Sequence, residues 1–339
     1  MDKTIFITGI AGFIGFHLAQ ELLKRGYQVI GIDNLNTYYD VDLKYARLGL
    51  LGIAKQDSEF YNREVGSSKY EQLSFYQLKL EDRANLPGLF RKHEVGVVCN
   101  LAAQAGVRYS IENPEVYVDT NITGFLNLLQ CMREYKVSKL VYASSSSVYG
   151  NTGKVPFTID QNVDHPVSVY AATKKSNELL AHTYAHLFGI QTVGLRFFTV
   201  YGPWGRPDMA MYLFAEAISN DKPIKVFNQG NLSRDFTYID DIIKGVIATI
   251  ETDLPDHKNY GIYNIGKSKP VKLLDFIEAL EKSFGKTAKK EMLPMQPGDV
   301  HQTWADVSAL QRDFGYSPST DIQTGIDRFV EWYKDYYRV

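Results

Sequence analysis

Thr4-Ile5-Phe6-Ile7-Thr8-Gly9-Ile10-Ala11-Gly12-Phe13-Ile14-Gly15 opens the chain with an apolar run, a glycine turn and the start of a helical pattern. Thr4–Thr8 reads as a strand, and residues 14–25 read as the helix that follows it, stopped by Gly26. A strand that runs through glycines straight into a helix is the entry unit of a doubly wound α/β sheet. Here the spacing is GxxGxxG rather than GxGxxG. Glycines at such a turn let the backbone approach a pyrophosphate, whose charge the helix N-terminus stabilises.

The pattern continues outward from this turn. Apolar runs at 28–33, 73–80, 95–102, 140–145 and 191–197 read as further strands, and helical patterns at 116–135 and 169–188 separate the last three. Near-continuous apolar strands alternating with helices predict a Rossmann-like parallel sheet. The segment 34–66 is polar and tyrosine-rich, with a short helix expected at 41–51 and a loop at 56–68. After residue 196 Gly and Pro cluster, and short strands (224–227, 263–265) alternate with helices (211–219, 273–284, 322–337). The expected organisation is a dinucleotide-binding domain over 1–195, with 235–265 returning to it. A smaller substrate-binding lobe is expected over 196–234 and 266–339, at the C-terminal ends of the strands.

Bulk properties exclude several classes. The chain has 339 residues, 45% apolar and 22% charged, with a net charge of −2. That balance gives no electrostatic case for nucleic acid or an anionic membrane. Seven histidines show no metal-ligand spacing, and the two cysteines, Cys99 and Cys131, read as buried free thiols, so no metal site is expected. With no signal-peptide pattern and no apolar stretch of membrane-spanning length, a cytoplasmic enzyme is expected.

The chemistry lies in residues taken in order along the chain. Asp33 closes the second strand, where a carboxylate accepts hydrogen bonds from the adenosine ribose and repels a 2′-phosphate, which favours NAD over NADP. Asn34 adds a donor beside it. Small residues after strand four, Leu101-Ala102-Ala103, leave room for ribose and nicotinamide. Tyr170 and Lys174, in Tyr170-Ala171-Ala172-Thr173-Lys174, share one helix face. A phenol with an ordinary pKa of about 10 is a poor base at neutral pH, and a nearby ammonium favours its phenolate. Tyr170 is then the base for a substrate hydroxyl, and Ser145, at the end of strand five, orients that hydroxyl. A lone YxxxK carries little weight, since a buried Tyr and a surface Lys on an amphipathic helix explain it better. The glycine turn, Asp33 and the serine run Ser144-Ser145-Ser146-Ser147 before it give it meaning.

On these residues the chain resembles an extended short-chain dehydrogenase/reductase, and specifically a nucleotide-sugar 4-epimerase. It is most similar to the UDP-glucuronate 4-epimerases, through Arg196-Phe197-Phe198-Thr199-Val200-Tyr201-Gly202-Pro203-Trp204-Gly205-Arg206-Pro207-Asp208-Met209-Ala210 and Gln104-Ala105-Gly106-Val107-Arg108-Tyr109-Ser110. The resemblance implies an isomerase that interconverts UDP-glucuronate and UDP-galacturonate through a 4-keto sugar. It implies NAD contacts at Gly9, Gly12, Phe13, Ile14, Gly15, Asp33, Asn34, Leu80, Leu101, Ala102, Ala103, Tyr170, Lys174 and Phe197, and a catalytic set of Ser145, Tyr170 and Lys174. Substrate contacts are implied at Arg108, Ser145, Ser146, Ser147 and Arg206, with Thr199 near the diphosphate and Arg234 paired with it. Val226 and Phe227 are implied against the uracil, and Asp299 near the uridine ribose. A homodimer built on helices 116–135 and 169–188 is implied, and so is a role in polysaccharide biosynthesis.

Two positions depart from the family pattern. Lys79 stands where an Asp usually meets the adenine amine, which leaves Glu81 as the nearby acceptor, and Asn100 stands where a His often ends strand four. Ser146 and Ser147 replace the Asp-Glu pair with which dehydratases of this superfamily expel the C6 hydroxyl, which argues for an epimerase. UDP-glucose or UDP-N-acetylglucosamine remain alternative substrates. UDP-glucuronate decarboxylation is an alternative fate.

Overall fold

The computed structural model describes residues 4–296 and 300–339. Among these, the strands in chain order are β1 (Thr4–Thr8), β2 (Val29–Asp33), β3 (Glu64–Gly66), β4 (Leu73–Gln77), β5 (Val95–Asn100), β6 (Lys139–Ser145) and β7 (Gln191–Phe197). They continue with β8 (Thr199–Tyr201), β9 (Ile224–Val226), β10 (Ser233–Arg234), β11 (Phe236–Tyr238), β12 (Tyr260–Ile265), β13 (Val271–Lys272) and β14 (Lys290–Met292).

Eight of them form one sheet in the order β12-β7-β6-β5-β1-β2-β4-β3. All neighbours run parallel except β3, which pairs antiparallel with β4 at the edge. The order reverses at β1, so the crevice between the ends of β1 and β5 is the switch point where such sheets bind ligands. Apolar cores cover both faces. One contains Ile5, Phe16 and Ile247; the other contains Phe6, Leu128 and Leu140. The α/β architecture with a parallel Rossmann-like sheet is the one expected.

The elements that carry the site start and stop for local reasons. The helix Val169–Phe188 is capped by Ser168, whose side chain accepts from the Ala171 amide at 3.1 Å. It ends at Gly189 in the left-handed conformation. This start puts Tyr170 in the first turn, beside the ends of the strands. The Arg196 guanidinium on β7 grips the Glu178 carboxylate of this helix from two sides, at 2.8 and 2.9 Å. That pair fixes the helix against the sheet.

Several expectations need correction. The helix expected at 116–135 is broken. A turn at Pro114–Tyr117 leads into a π-helical stretch, Val118–Gly124, before the regular helix Phe125–Glu134. Packing explains the widened turn. Buried Asn121 accepts from the Gln104 amide at 2.8 Å and donates to the Gln104 carbonyl and to Thr173, while its own carbonyl accepts from Asn177. Those bonds tie the segment to the helix of Tyr170. The loop expected at 56–68 holds the edge strand β3, whose period is too short to read. β4 and β5 end at Gln77 and Asn100, earlier than the apolar runs at 73–80 and 95–102, because Leu78, Leu80 and Leu101 turn toward the cleft. The helices Leu86–Lys92 and Ile239–Glu251 were not singled out in the sequence.

Candidate active site

The C-terminal ends of the strands open into one cavity of about 1210 Å³. At one end lies the glycine turn. Gly9 has φ +76°, and a Cβ there would come within 2.9 Å of the Ala102 amide nitrogen. A Cβ on Gly15 would lie 2.1 Å from the Gly9 carbonyl oxygen. The turn folds on itself too tightly for any side chain, which is the physical content of the spacing. The helix Phe13–Lys24 begins there with Gly12 as its cap and no side-chain cap bond. Its first turn lines the cavity through Phe13, Ile14 and Gly15. Uncapped amides at a helix start suit a diphosphate.

Asp33 ends β2 and lines the same wall. Its Oδ2 accepts from the Ala11 amide at 3.1 Å and its Oδ1 from the Leu35 amide at 2.9 Å. It therefore also serves as a turn residue, bracing the left-handed Leu35. Buried Lys44 lies 3.8 Å from Asp33 and donates to Asn36. Asn34 lines the cavity while its side chain accepts from the Asn36 amide at 3.1 Å. Lys79 is exposed, away from the cavity. Glu81 lines it, with Oε1 accepting from Thr120 at 2.6 Å and a buried Oε2 that has no hydrogen-bond partner among the described residues. The glycine cradle, the uncapped amides and the paired Asp33 fit a dinucleotide. Leu80, Leu101, Ala102, Ala103 and Phe197 stand along the same wall.

Toward the middle of the cavity lie Tyr170, Lys174 and Ser145. The Lys174 ammonium is buried and donates to the Ala143 carbonyl at 2.8 Å. It lies 6.0 Å from the centre of the Tyr170 ring. Burial pulls its pKa down to about 8. Burial also pushes the Tyr170 phenol above its ordinary value, against a hydrogen bond with Ser145 and the nearby Arg206 charge, which favour the phenolate. The Ser145 hydroxyl in turn accepts from the Ser147 amide at 3.2 Å and from the Ser147 hydroxyl at 2.9 Å. A tyrosine, a buried lysine and a serine converge in this cavity, an arrangement chemically suited to taking a proton from a hydroxyl. The Asp208 carboxylate opposes the Arg206 charge at the phenol, and burial keeps the net shift upward.

Ser146, Ser147 and Arg206 line the cavity beside this group, as do Thr199, Phe227 and Arg234, and exposed Arg108 stands over the Phe227 ring at 5.5 Å. Arg234 donates to the Ser233 carbonyl at 2.9 Å. Val226, at the end of β9, is fully buried, and Ile224, Lys225 and Phe227 around it line the cavity. Asp299 lies outside the described residues.

Other residues were missed in the sequence. Arg47, fully buried, donates to the Ala11 carbonyl (2.8 Å), the Tyr39 hydroxyl (2.9 Å) and the carbonyls of Trp204 (2.7 Å) and Gly205 (3.1 Å). It stitches the glycine turn to the run that carries Arg206. Tyr38 and Asp208 meet across the cavity at 3.2 Å. The only signal for these was the unexplained density of tyrosines in 34–66.

Comparison with known proteins agrees with this geometry. The model of the NAD dependent epimerase/dehydratase family matches residues 5–266. Protein CapI of Staphylococcus aureus is 49% identical, over 98% of this chain and 99% of that protein. The UDP-glucuronate 4-epimerase of Thermodesulfobacterium geofontis is 46% identical, over 97% and 95%. The crystal structure of UDP-glucuronic acid 4-epimerase from Bacillus cereus, in complex with UDP-glucuronic acid and NAD, superposes with a TM-score of 0.88. It is 36% identical and covers 98% of this chain and 100% of that one. Sheet order, glycine turn, Tyr170–Lys174 helix and full-length kinship lead to one assignment: the chain belongs to the NAD dependent epimerase/dehydratase family.

Proposed function

We propose that the protein is a UDP-glucuronate 4-epimerase, an isomerase that inverts C4 of UDP-glucuronate to give UDP-galacturonate. The observation that carries this reading is the placement of Tyr170 and Lys174 in one cavity with Arg206, Ser146 and Ser147. A base for a ring hydroxyl thus stands beside groups suited to a carboxylate. The full-length likeness to UDP-glucuronate 4-epimerases supports the choice of sugar.

The glycine turn and the first turn of the Phe13–Lys24 helix would hold the diphosphate of NAD, and Asp33 its adenosine ribose. Glu81 would offer its unpartnered oxygen to the adenine amine in place of Lys79. NAD bound there would supply a reversible hydride acceptor for C4. The chain supplies the rest. Tyr170 takes the proton of the C4 hydroxyl and gives it back, and Ser145 orients that hydroxyl. Lys174 keeps a positive charge near the phenol. Arg234 and Thr199 hold the diphosphate, Phe227 lies against the uracil, and Asp299 takes the uridine ribose. Ser146, Ser147 and Arg206 take the C6 carboxylate, with Arg108 at the rim.

The two-lobe division over 1–195 with 235–265, and 196–234 with 266–339, is supported by β12 extending the main sheet at β7. A homodimer is supported by the exposed apolar side chains of Leu179, Leu187 and Phe188 on the helix Val169–Phe188, and of Val118 beside it. No helix among the described residues is long and apolar enough to cross a membrane. Cys99 and Cys131 are free thiols, which suits the cytoplasm, with supply of uronate to a polysaccharide as the role.

The test is proton NMR of the purified protein with UDP-glucuronate and no reductant. Appearance of the galacto-configured uronate without a pentose product supports the assignment. Conversion of UDP-glucose or UDP-N-acetylglucosamine alone keeps the 4-epimerase and discards the uronate, and a UDP-pentose makes it a decarboxylase.

A further inference from the structure

Arg206 is paired within the chain. Its Nε donates to Asp208 Oδ1 at 3.0 Å and its Nη2 donates to Asp208 Oδ2. Asp208 Oδ2 also accepts from the Tyr38 hydroxyl at 3.2 Å. Tyr38 is itself fixed. Its ring lies 5.0 Å from that of Tyr109, and a Cβ on Gly106 would come within 2.3 Å of its hydroxyl. Asp208 is thus gripped from both sides of the cavity.

A guanidinium carries five N–H donors in a planar fork. Asp208 occupies the Nε–Nη2 edge. Among the described residues the Nη1 side makes no hydrogen bond, and the side chain keeps 25% of its surface accessible on the cavity wall. One edge is therefore taken by a resident carboxylate, and the other is open to a second.

We infer that Asp208 is a resident counter-ion that keeps Arg206 neutralised while the C6 carboxylate of the sugar is released and gripped again. This rests on the uronate reading given above. Epimerisation requires the 4-keto sugar to turn over in the cleft, so that its carboxylate leaves one position and reaches another. A guanidinium with no other partner would hold that carboxylate tightly and stall the turn, since an unpaired buried charge costs far more than a paired one. With Asp208 in place, the departing carboxylate leaves a neutral pair behind. The like charge of Asp208 also weakens the grip on the sugar. Asp208 acts through Arg206 and is a positioning residue.

The inference makes an unusual demand, that removing the charge should tighten binding and slow turnover together. In NAD-loaded Asp208→Asn protein, calorimetry should show UDP-glucuronate binding about tenfold tighter, the scale of one like charge removed at short range. UDP, which lacks the sugar, should bind as in wild type, and kcat on UDP-glucuronate should fall. The charge-keeping Asp208→Glu variant should restore both values. Tyr38→Phe loosens Asp208 without removing its charge and should shift both values the same way by less, which keeps the test open if Asp208→Asn does not fold. Weaker or unchanged UDP-glucuronate binding in Asp208→Asn, or Asp208→Glu behaving like it, overturns the inference. If wild type does not turn over UDP-glucuronate at all, the uronate reading fails instead.

Discussion

Lys174 sits one helical turn beyond Tyr170 and holds its ammonium 6.0 Å from the centre of the Tyr170 ring, anchored to the Ala143 carbonyl. The two shifts oppose each other. Burial raises the phenol and lowers the ammonium to about 8. Below that pH the lysine is charged, and its charge stabilises the phenolate. Lys174→Met should therefore cut kcat by about 10²–10⁴-fold and move the acid limb of the kcat–pH profile to higher pH. An unmoved limb would leave Lys174 with a packing role only.

Tyr170→Phe removes the proton acceptor and little else. The ring remains to pack near Tyr117, whose centroid lies 6.1 Å away. Turnover should fall by about 10²–10⁴-fold while the thermal midpoint stays near that of wild type. Normal turnover would remove Tyr170 from the mechanism.

The legible part of this fold was the part repeated by local rules. The helix Val169–Phe188 carries both its stop glycine and its capping Ser168 in sequence, and its bounds read correctly. The π stretch Val118–Gly124 could not be read, because it is set by Asn121 bonding to Gln104, Thr173 and Asn177, partners far away in the chain. The site divides the same way. The residues proposed for the cofactor lie in short motifs, and the structure brings them to one wall. The helix Asp42–Leu50 was legible at 41–51, but its Lys44 and Arg47 gain their meaning only when Asp33, Trp204 and Gly205 fold against them.

The buried pair of Glu178 and Arg196 gives a stability prediction. Both side chains are almost wholly removed from water, at 2% and 4% exposure. Glu178 also accepts from Ser144 at 2.6 Å, and Arg196 donates to Tyr149 at 3.0 Å. Glu178→Ala leaves the arginine charged and buried, which should cost about 3–5 kcal/mol. The urea midpoint should drop accordingly. Replacing both residues by apolar ones should cost less than Glu178→Ala alone, because no unpaired charge remains.

His17 makes stability depend on pH. Its ring packs against Phe13 and Phe16, and Nε2 donates to the Pro203 carbonyl at 3.0 Å. Burial pulls its pKa down from 6.5 to about 4, helped by the charges of Arg47 and Lys24. The unfolded chain therefore binds more protons than the folded one between about pH 4 and 6.5. The stabilisation is complete above 6.5 and is lost as pH falls through that window. At most about 3 kcal/mol is at stake, less whatever the partly exposed ring recovers from water. His17→Gln keeps a donor for Pro203 without a titrating ring. Unfolding free energy measured at pH 7.5, 6, 5 and 4.5 should fall more steeply in wild type than in His17→Gln. Parallel curves would mean that carboxylates alone set the acid sensitivity of the fold.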